Sequence, residues 1–125
     1  MIFGIGTDIV SFTRIEALHE RYGERFAQRV LSQEELKEYS GHAHPARLLT
    51  KRFAAKEALA KAAGSGLRYP VTMQRISVTH NDFGKPEFLF DALLAEHLRQ
   101  AGVTHHHLSI SDERDVAVAF VVLEK

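Results

Sequence analysis

The chain has 125 residues, 45% hydrophobic and 26% charged, and its 16 lysines and arginines are balanced by 16 aspartates and glutamates. That length suffices for one domain, residues 1–125, with a buried core, and the balanced charge argues against broad nucleic-acid binding, which needs a basic excess or stripe. Cysteine is absent, which excludes disulfide and thiolate chemistry and fits a cytoplasmic protein. No run of about 18 apolar residues predicts a membrane span, and the start lacks the basic region and cleavage site of a signal peptide.

Residues 2–10 predict a strand with Gly4, Gly6 and Asp8 on one face and Phe3, Ile5, Thr7 and Ile9 on the other. Two glycines on one face point to close approach of another backbone or a ligand. Thr13 and Glu16 have the spacing of a capping box, and Ile15, Leu18, Tyr22 and Phe26 follow at helical spacing. Ser32, with Glu34 and Glu35 behind it, starts a short helix to about Tyr39. Pro45 or Ala46 opens a long central helix, which Gly64-Ser65-Gly66 stops after Ala63. Residues 74–80 and 87–90 predict strands around a turn at 81–86. An amphipathic helix follows over 92–100, ended by Gly102, and 106–111 with 116–123 form a final hairpin. The pattern is α+β, an antiparallel sheet packed against a long central helix.

Two carboxylates stand out. Asp8 ends the glycine-bearing strand, and Glu57 lies in the Ala-rich central helix near Lys61. Two hard oxygen ligands beside lysines and a glycine turn suit Mg²⁺ and a pyrophosphate. At 100° per residue, Arg47, Thr50, Ala54, Glu57 and Lys61 form one strip on an otherwise largely apolar helix. The bland alternative is a solvated Glu57–Lys61 pair at i,i+4, with Asp8 capping the next helix, although Ser11 and Thr13 are closer to that role. Gly64-Ser65-Gly66 is either an anion-binding turn or only a helix stop, and Gly84-Lys85-Pro86 a hairpin turn whose lysine can meet a phosphate. Arg14, Arg21 and Arg25, with Arg29 after them, make a cationic face that is either plain surface or a dock for an acidic helix. In His105-His106-His107 only the outer two can share a ligand, because strand residues alternate faces.

The segments 4–10, 52–62 with Gly64-Ser65-Gly66, and Gly84-Lys85-Pro86 together resemble the short, single-domain branch of the 4′-phosphopantetheinyl transferases, the holo-acyl-carrier-protein synthases. The likeness covers nearly the whole chain in order, and Arg25-Phe26-Ala27-Gln28-Arg29-Val30-Leu31 matches a further family segment. It implies transfer of the phosphopantetheine arm of coenzyme A to a serine of apo-acyl carrier protein, in support of fatty acid biosynthesis. By the family pattern, Asp8 and Glu57 hold Mg²⁺ and Lys61 contacts phosphate, which makes these three the catalytic set. Arg52, Lys61, Gly64, Ser65, Gly66, Lys85 and Pro86 match the coenzyme cleft, and Arg14, Arg21, Arg25, Phe26 and Arg29 the carrier-protein face. Glu57 through a water, or Lys61, would accept the serine proton. The resemblance also implies a homotrimer with sites shared between neighbours, for which the glycine face of the first strand suits close packing.

Two positions depart from the pattern. Val10 stands where two-domain relatives carry a third carboxylate, and Asp112 stands where many short members have a histidine. A Mg²⁺-dependent nucleotide pyrophosphate hydrolase would use the same ligands but needs no carrier face. A non-catalytic coenzyme A-binding module would not need Glu57.

Overall fold

The computed structural model describes residues 1–125. Strand β1 (Ile2–Ser11) leads into α1 (Phe12–Tyr22), α2 (Glu24–Val30) and α3 (Gln33–Tyr39), followed by the long α4 (Pro45–Ala63). A 3₁₀ turn at Met73–Arg75 precedes β2 (Ile76–His80) and β3 (Pro86–Phe90), and α5 (Ala92–Ala101), β4 (His105–Asp112) and β5 (Val116–Glu124) complete the chain. The fold is α+β, but its strands form two antiparallel sheets, β1-β5-β4 and the hairpin β2-β3.

The larger sheet lies on α4. Central β5 turns Ala117, Ala119, Val121 and Leu123 inward, all fully buried, at the period of two its sequence carries. Beside it, β1 presents Gly4 and Gly6 to the helix. A Cβ at Gly6 would stand 1.8 Å from Ala58 O, and one at Gly4 1.9 Å from Ala62 O. The expected close approach is therefore to the chain's own α4, so this face is closed to any neighbouring copy. The opposite face of β1 carries Ile5 and Ile9, both exposed, alongside exposed Phe120 of β5.

The N-cap of helix α1 falls two residues before the expected one. Ser11 is its N-cap, accepting from Arg14 N at 3.5 Å, while Thr13 bonds Ser11 instead of capping. The helical spacing from Ile15 to Phe26 is also interrupted: Gly23 takes φ +57° and ψ −132° and separates α1 from α2, a conformation open to glycine. Ser32 does cap α3, with Glu35 closing the box back onto Ser32 N at 2.9 Å.

Beneath α4 lies a buried ionic network. Lys56, fully buried, donates to Glu35 Oε1 and to the carbonyls of Val30 (2.6 Å) and Met73 (3.0 Å). Glu35 Oε2 also accepts from Val78 N at 2.9 Å. Burial lowers the Lys56 ammonium to about 8, with the Glu35 carboxylate opposing that shift. Every partner is a hydrogen-bonding group, which is what lets a charge pair persist in a core.

Candidate active site

Because β1 lies directly on α4, Asp8 meets the last turns of that helix. Lys61 Nζ donates to Asp8 Oδ1 at 3.0 Å and to Thr7 O at 2.9 Å. Half-buried Glu57 sits one helical turn earlier. Its carboxyl is pushed above the usual range, first by burial and then by the charge of Asp8, with Lys61 and Arg14 pulling the other way. A carboxyl whose ionisation is opposed by a neighbouring carboxylate makes with it a ready site for a hard cation. No group of three or more His, Cys, Asp or Glu side chains is placed to hold a metal, and Val10, two residues beyond Asp8, is buried in the core. An ion held by Asp8 and Glu57 alone would keep positions for phosphate oxygens and water, the arrangement Mg²⁺ tolerates. The donor set therefore fits Mg²⁺.

The polar strip read along α4 does not face one site throughout. Thr50 and Ala54 are fully buried, with Thr50 Oγ1 donating to Ala46 O at 2.7 Å. Arg47 lies at the other end of the strip, 3.2 Å from Asp112 and stacked 3.9 Å from the Phe12 ring centroid.

A groove of about 510 Å³ opens beside α1 and α2. Leu18, Tyr22, Phe26 and Phe53 line it, Val30 and Met73 close it, and Arg25 and Arg29 stand in its wall. The side chains at 18, 22 and 26 thus share one groove although Gly23 splits their helix. Arg14 reaches the same region, 5.6 Å from the Phe53 ring centroid, and its charge acts on Glu57. Arg21 folds back over Tyr22, 5.3 Å from the ring centroid. The groove and the carboxylate pair are therefore neighbours, bridged by Arg14.

The residues matched to the coenzyme cleft fall into two groups. Lys61 and Gly64-Ser65-Gly66 lie at the C-terminal end of α4. There Gly64 N donates to Lys61 O and Gly66 N to Ala60 O, so these amides are engaged in stopping the helix. Arg52 and Pro86 instead line a separate pocket of about 350 Å³, together with Gly84, Arg47, Lys51 and Asp112. Arg52 is only 3% exposed, and its guanidinium is held by Glu38, at 3.1 and 3.3 Å, and by Glu35 at 3.3 Å. It is an internal strut at the pocket's edge more than a free phosphate ligand. Lys85 is exposed in the β2–β3 turn. Along α4, Arg52 and Lys61 are roughly 13 Å apart, a span that an extended nucleotide or a neighbouring copy can bridge.

His106 points inward against Phe88 and Phe90, with ring centroids 6.0 and 5.1 Å away. His107 bonds Glu124 and His105 bonds Thr104 on the outer face.

The description of one protein family, the 4′-phosphopantetheinyl transferase superfamily, matches residues 4–121. The chain belongs to that superfamily. It is 57% identical to the holo-[acyl-carrier-protein] synthase of Nitrosospira multiformis, with all of both chains aligned. Among solved structures, the holo-[acyl-carrier-protein] synthase of Neisseria meningitidis matches with TM-score 0.97 at 49% identity, again over all of both chains. The Bacillus anthracis synthase in complex with CoA (3′,5′-ADP) matches with TM-score 0.81 at 35% identity, covering 98% of this chain and 96% of that one.

For this member of the superfamily, the sequence pattern had pointed to Asp8, Glu57 and Lys61, and the fold brings them together. It had not pointed to the pocket cation Lys51 or to the groove residues Leu18, Tyr22, Phe53 and Met73. Arg47 lay on the polar strip, and Leu18 and Tyr22 on a helical stripe that also reads as plain core. Phe53 and Met73 carried no local signal, because only packing places them beside α2.

Proposed function

We propose that this chain transfers the 4′-phosphopantetheine arm of coenzyme A to a serine hydroxyl of an apo-acyl carrier protein, releasing adenosine 3′,5′-bisphosphate. The observation that carries this reading is the Asp8–Glu57–Lys61 cluster beside an apolar, arginine-edged groove, in a chain that aligns end to end with a holo-[acyl-carrier-protein] synthase. Asp8 and Glu57 would hold Mg²⁺, which when bound neutralises charge developing on the pyrophosphate. Lys61 uses two of its three N–H groups on Thr7 O and Asp8, leaving one for a phosphate oxygen. The serine oxygen forms a bond to the phosphorus that bears the pantetheine arm. The bond from that phosphorus to the bisphosphate breaks, and the serine proton passes through a water to Glu57. Lys61, already a donor to two acceptors, is the weaker candidate.

The groove takes the carrier as an amphipathic acidic helix, apolar side chains against Phe26 and Phe53 and carboxylates toward Arg25, Arg29 and Arg14. A hydrolase would have no use for it. The unit over residues 1–125 works as a cytoplasmic homotrimer in fatty acid biosynthesis. The trimer is supported by the outer face of the β1-β5-β4 sheet, where Ile5, Ile9 and Phe120 stay exposed in the single chain, and by the split of coenzyme residues between two places on one protomer.

The test is to incubate the protein with an apo-acyl carrier protein, coenzyme A and Mg²⁺ and weigh the carrier by intact mass spectrometry. The expected result is a gain of one phosphopantetheine arm that EDTA prevents. Cleavage of coenzyme A with no gain on the carrier would replace this reading with hydrolysis.

A further inference from the structure

Glu35 is only 3% exposed, yet its carboxylate joins α3, α4 and β2. Oε1 accepts from Ser32 N, at the start of α3, and from Lys56 Nζ of α4. Oε2 accepts from Val78 N of β2 at 2.9 Å and lies 3.3 Å from Arg52 Nε. Lys56 in turn spends all three of its N–H groups, one each on Glu35, Val30 O and Met73 O. Val30 is the last residue of α2, and Met73 opens the 3₁₀ turn. These two residues close the arginine-edged groove.

The bonds therefore run from the groove wall to the helix that carries Glu57. Arg25, Phe26 and Arg29 stand on α2, and the C-terminal carbonyl of α2 is bonded to the side chain next to Glu57 in sequence. A well-packed apolar pair of similar volume is often no less stable than a buried ion pair, which must offset its desolvation. Apolar burial is non-directional, whereas charged hydrogen bonds to two carbonyls fix where α2 and the 3₁₀ turn lie against α4. Attack by a protein-borne serine depends on that placement, because a misplacement of about 1 Å can cost a hundredfold in rate. We propose that Glu35 is a positioning residue for transfer, which through Lys56 sets the register of the carrier-docking wall of α2 against the carboxylates Asp8 and Glu57. This rests on the transferase reading above.

Two variants test it. Glu35→Asp keeps the charge, so Lys56 stays paired, but withdraws the carboxylate by about 1.5 Å, one C–C bond. Glu35→Gln combined with Lys56→Met removes both charges together, so neither is left buried alone. Arg52 keeps its bonds to Glu38 in each variant. Assayed well below their melting temperatures, both should lose about tenfold or more in kcat, with KM for coenzyme A and for the carrier protein unchanged. Hydrogen exchange of the α2 amides should quicken about tenfold while that of β5 stays as in wild type. Wild-type kcat in a folded variant would overturn the proposal, because the network would then be structural alone. So would a loss of kcat that vanishes on cooling, or an effect confined to KM for coenzyme A, which would place it at Arg52. If the double variant does not fold, Glu35→Asp decides by the same readouts. If wild type transfers no arm, the transferase reading fails and exchange decides. Faster exchange confined to α2 then keeps the fastening of the wall, and unchanged exchange removes it. If transfer is intact and kcat does not depend on Glu35, only the positioning role fails.

Discussion

Glu57 is held where burial and the neighbouring Asp8 both oppose its ionisation. Its pKa in the folded chain lies above its unfolded value, so its contribution to stability is complete below the ordinary carboxylate range. That contribution is lost as pH rises through the shifted pKa. At neutral pH without divalent cation, Glu57→Gln should therefore melt a few degrees higher than wild type while losing nearly all transfer activity. Mg²⁺ should raise the melting temperature of wild type and leave the variant almost unmoved. Calorimetry with and without Mg²⁺ checks both points, and a variant less stable than wild type would contradict the assigned strain. Arg25 and Arg29 test the docking face more cleanly than Arg14, whose charge also acts on Glu57. Arg25→Glu should raise KM for the carrier protein about tenfold or more at low salt, less at high salt, with KM for coenzyme A unchanged in steady-state kinetics. Arg14→Glu should add a change in the pH profile.

At the scale of elements, the contact of β1 with α4 positions the carboxylates. Gly6→Ala would place a methyl group 1.8 Å from Ala58 O, and a backbone atom cannot swing aside as a side chain can. The variant should lose about 3 kcal/mol or more and roughly 10 °C in melting temperature, measured by thermal denaturation. Activity should fall further than stability, because Asp8 moves away from Glu57. Much of this was legible. The period of two placed Gly4, Gly6 and Asp8 on one face, and close backbone approach follows from glycine in a strand. The break at Gly23 was not legible: Leu18, Tyr22 and Phe26 keep helical spacing across it because both helices line the same groove. The division into two sheets was equally hidden, since strand pairing is a long-range choice that alternation within a strand does not encode.

For the whole molecule, the outer face of the three-stranded sheet sets the expectation. Ile9 is 65% exposed in the protomer, so Ile9→Glu should leave the fold intact by circular dichroism. It should convert the proposed trimer to monomers in sedimentation and reduce transfer if neighbours share each site. A monomeric wild type would remove the assembly from this account. The sequence by itself singled out Asp8, Glu57 and Lys61 as the candidate site, and most of the segments that become strands and helices. Those are matters of residue type and local period, which travel with the chain. Only the tertiary structure decided what each cation does. Lys56 and Lys61 are the same side chain about 140° apart around α4, yet one is sealed against Glu35 and the other reaches Asp8. Arg52, matched to the coenzyme cleft, is claimed by Glu35 and Glu38. A helix that is apolar on several sides does not announce which element will cover which side, and that covering divides core charges from site charges.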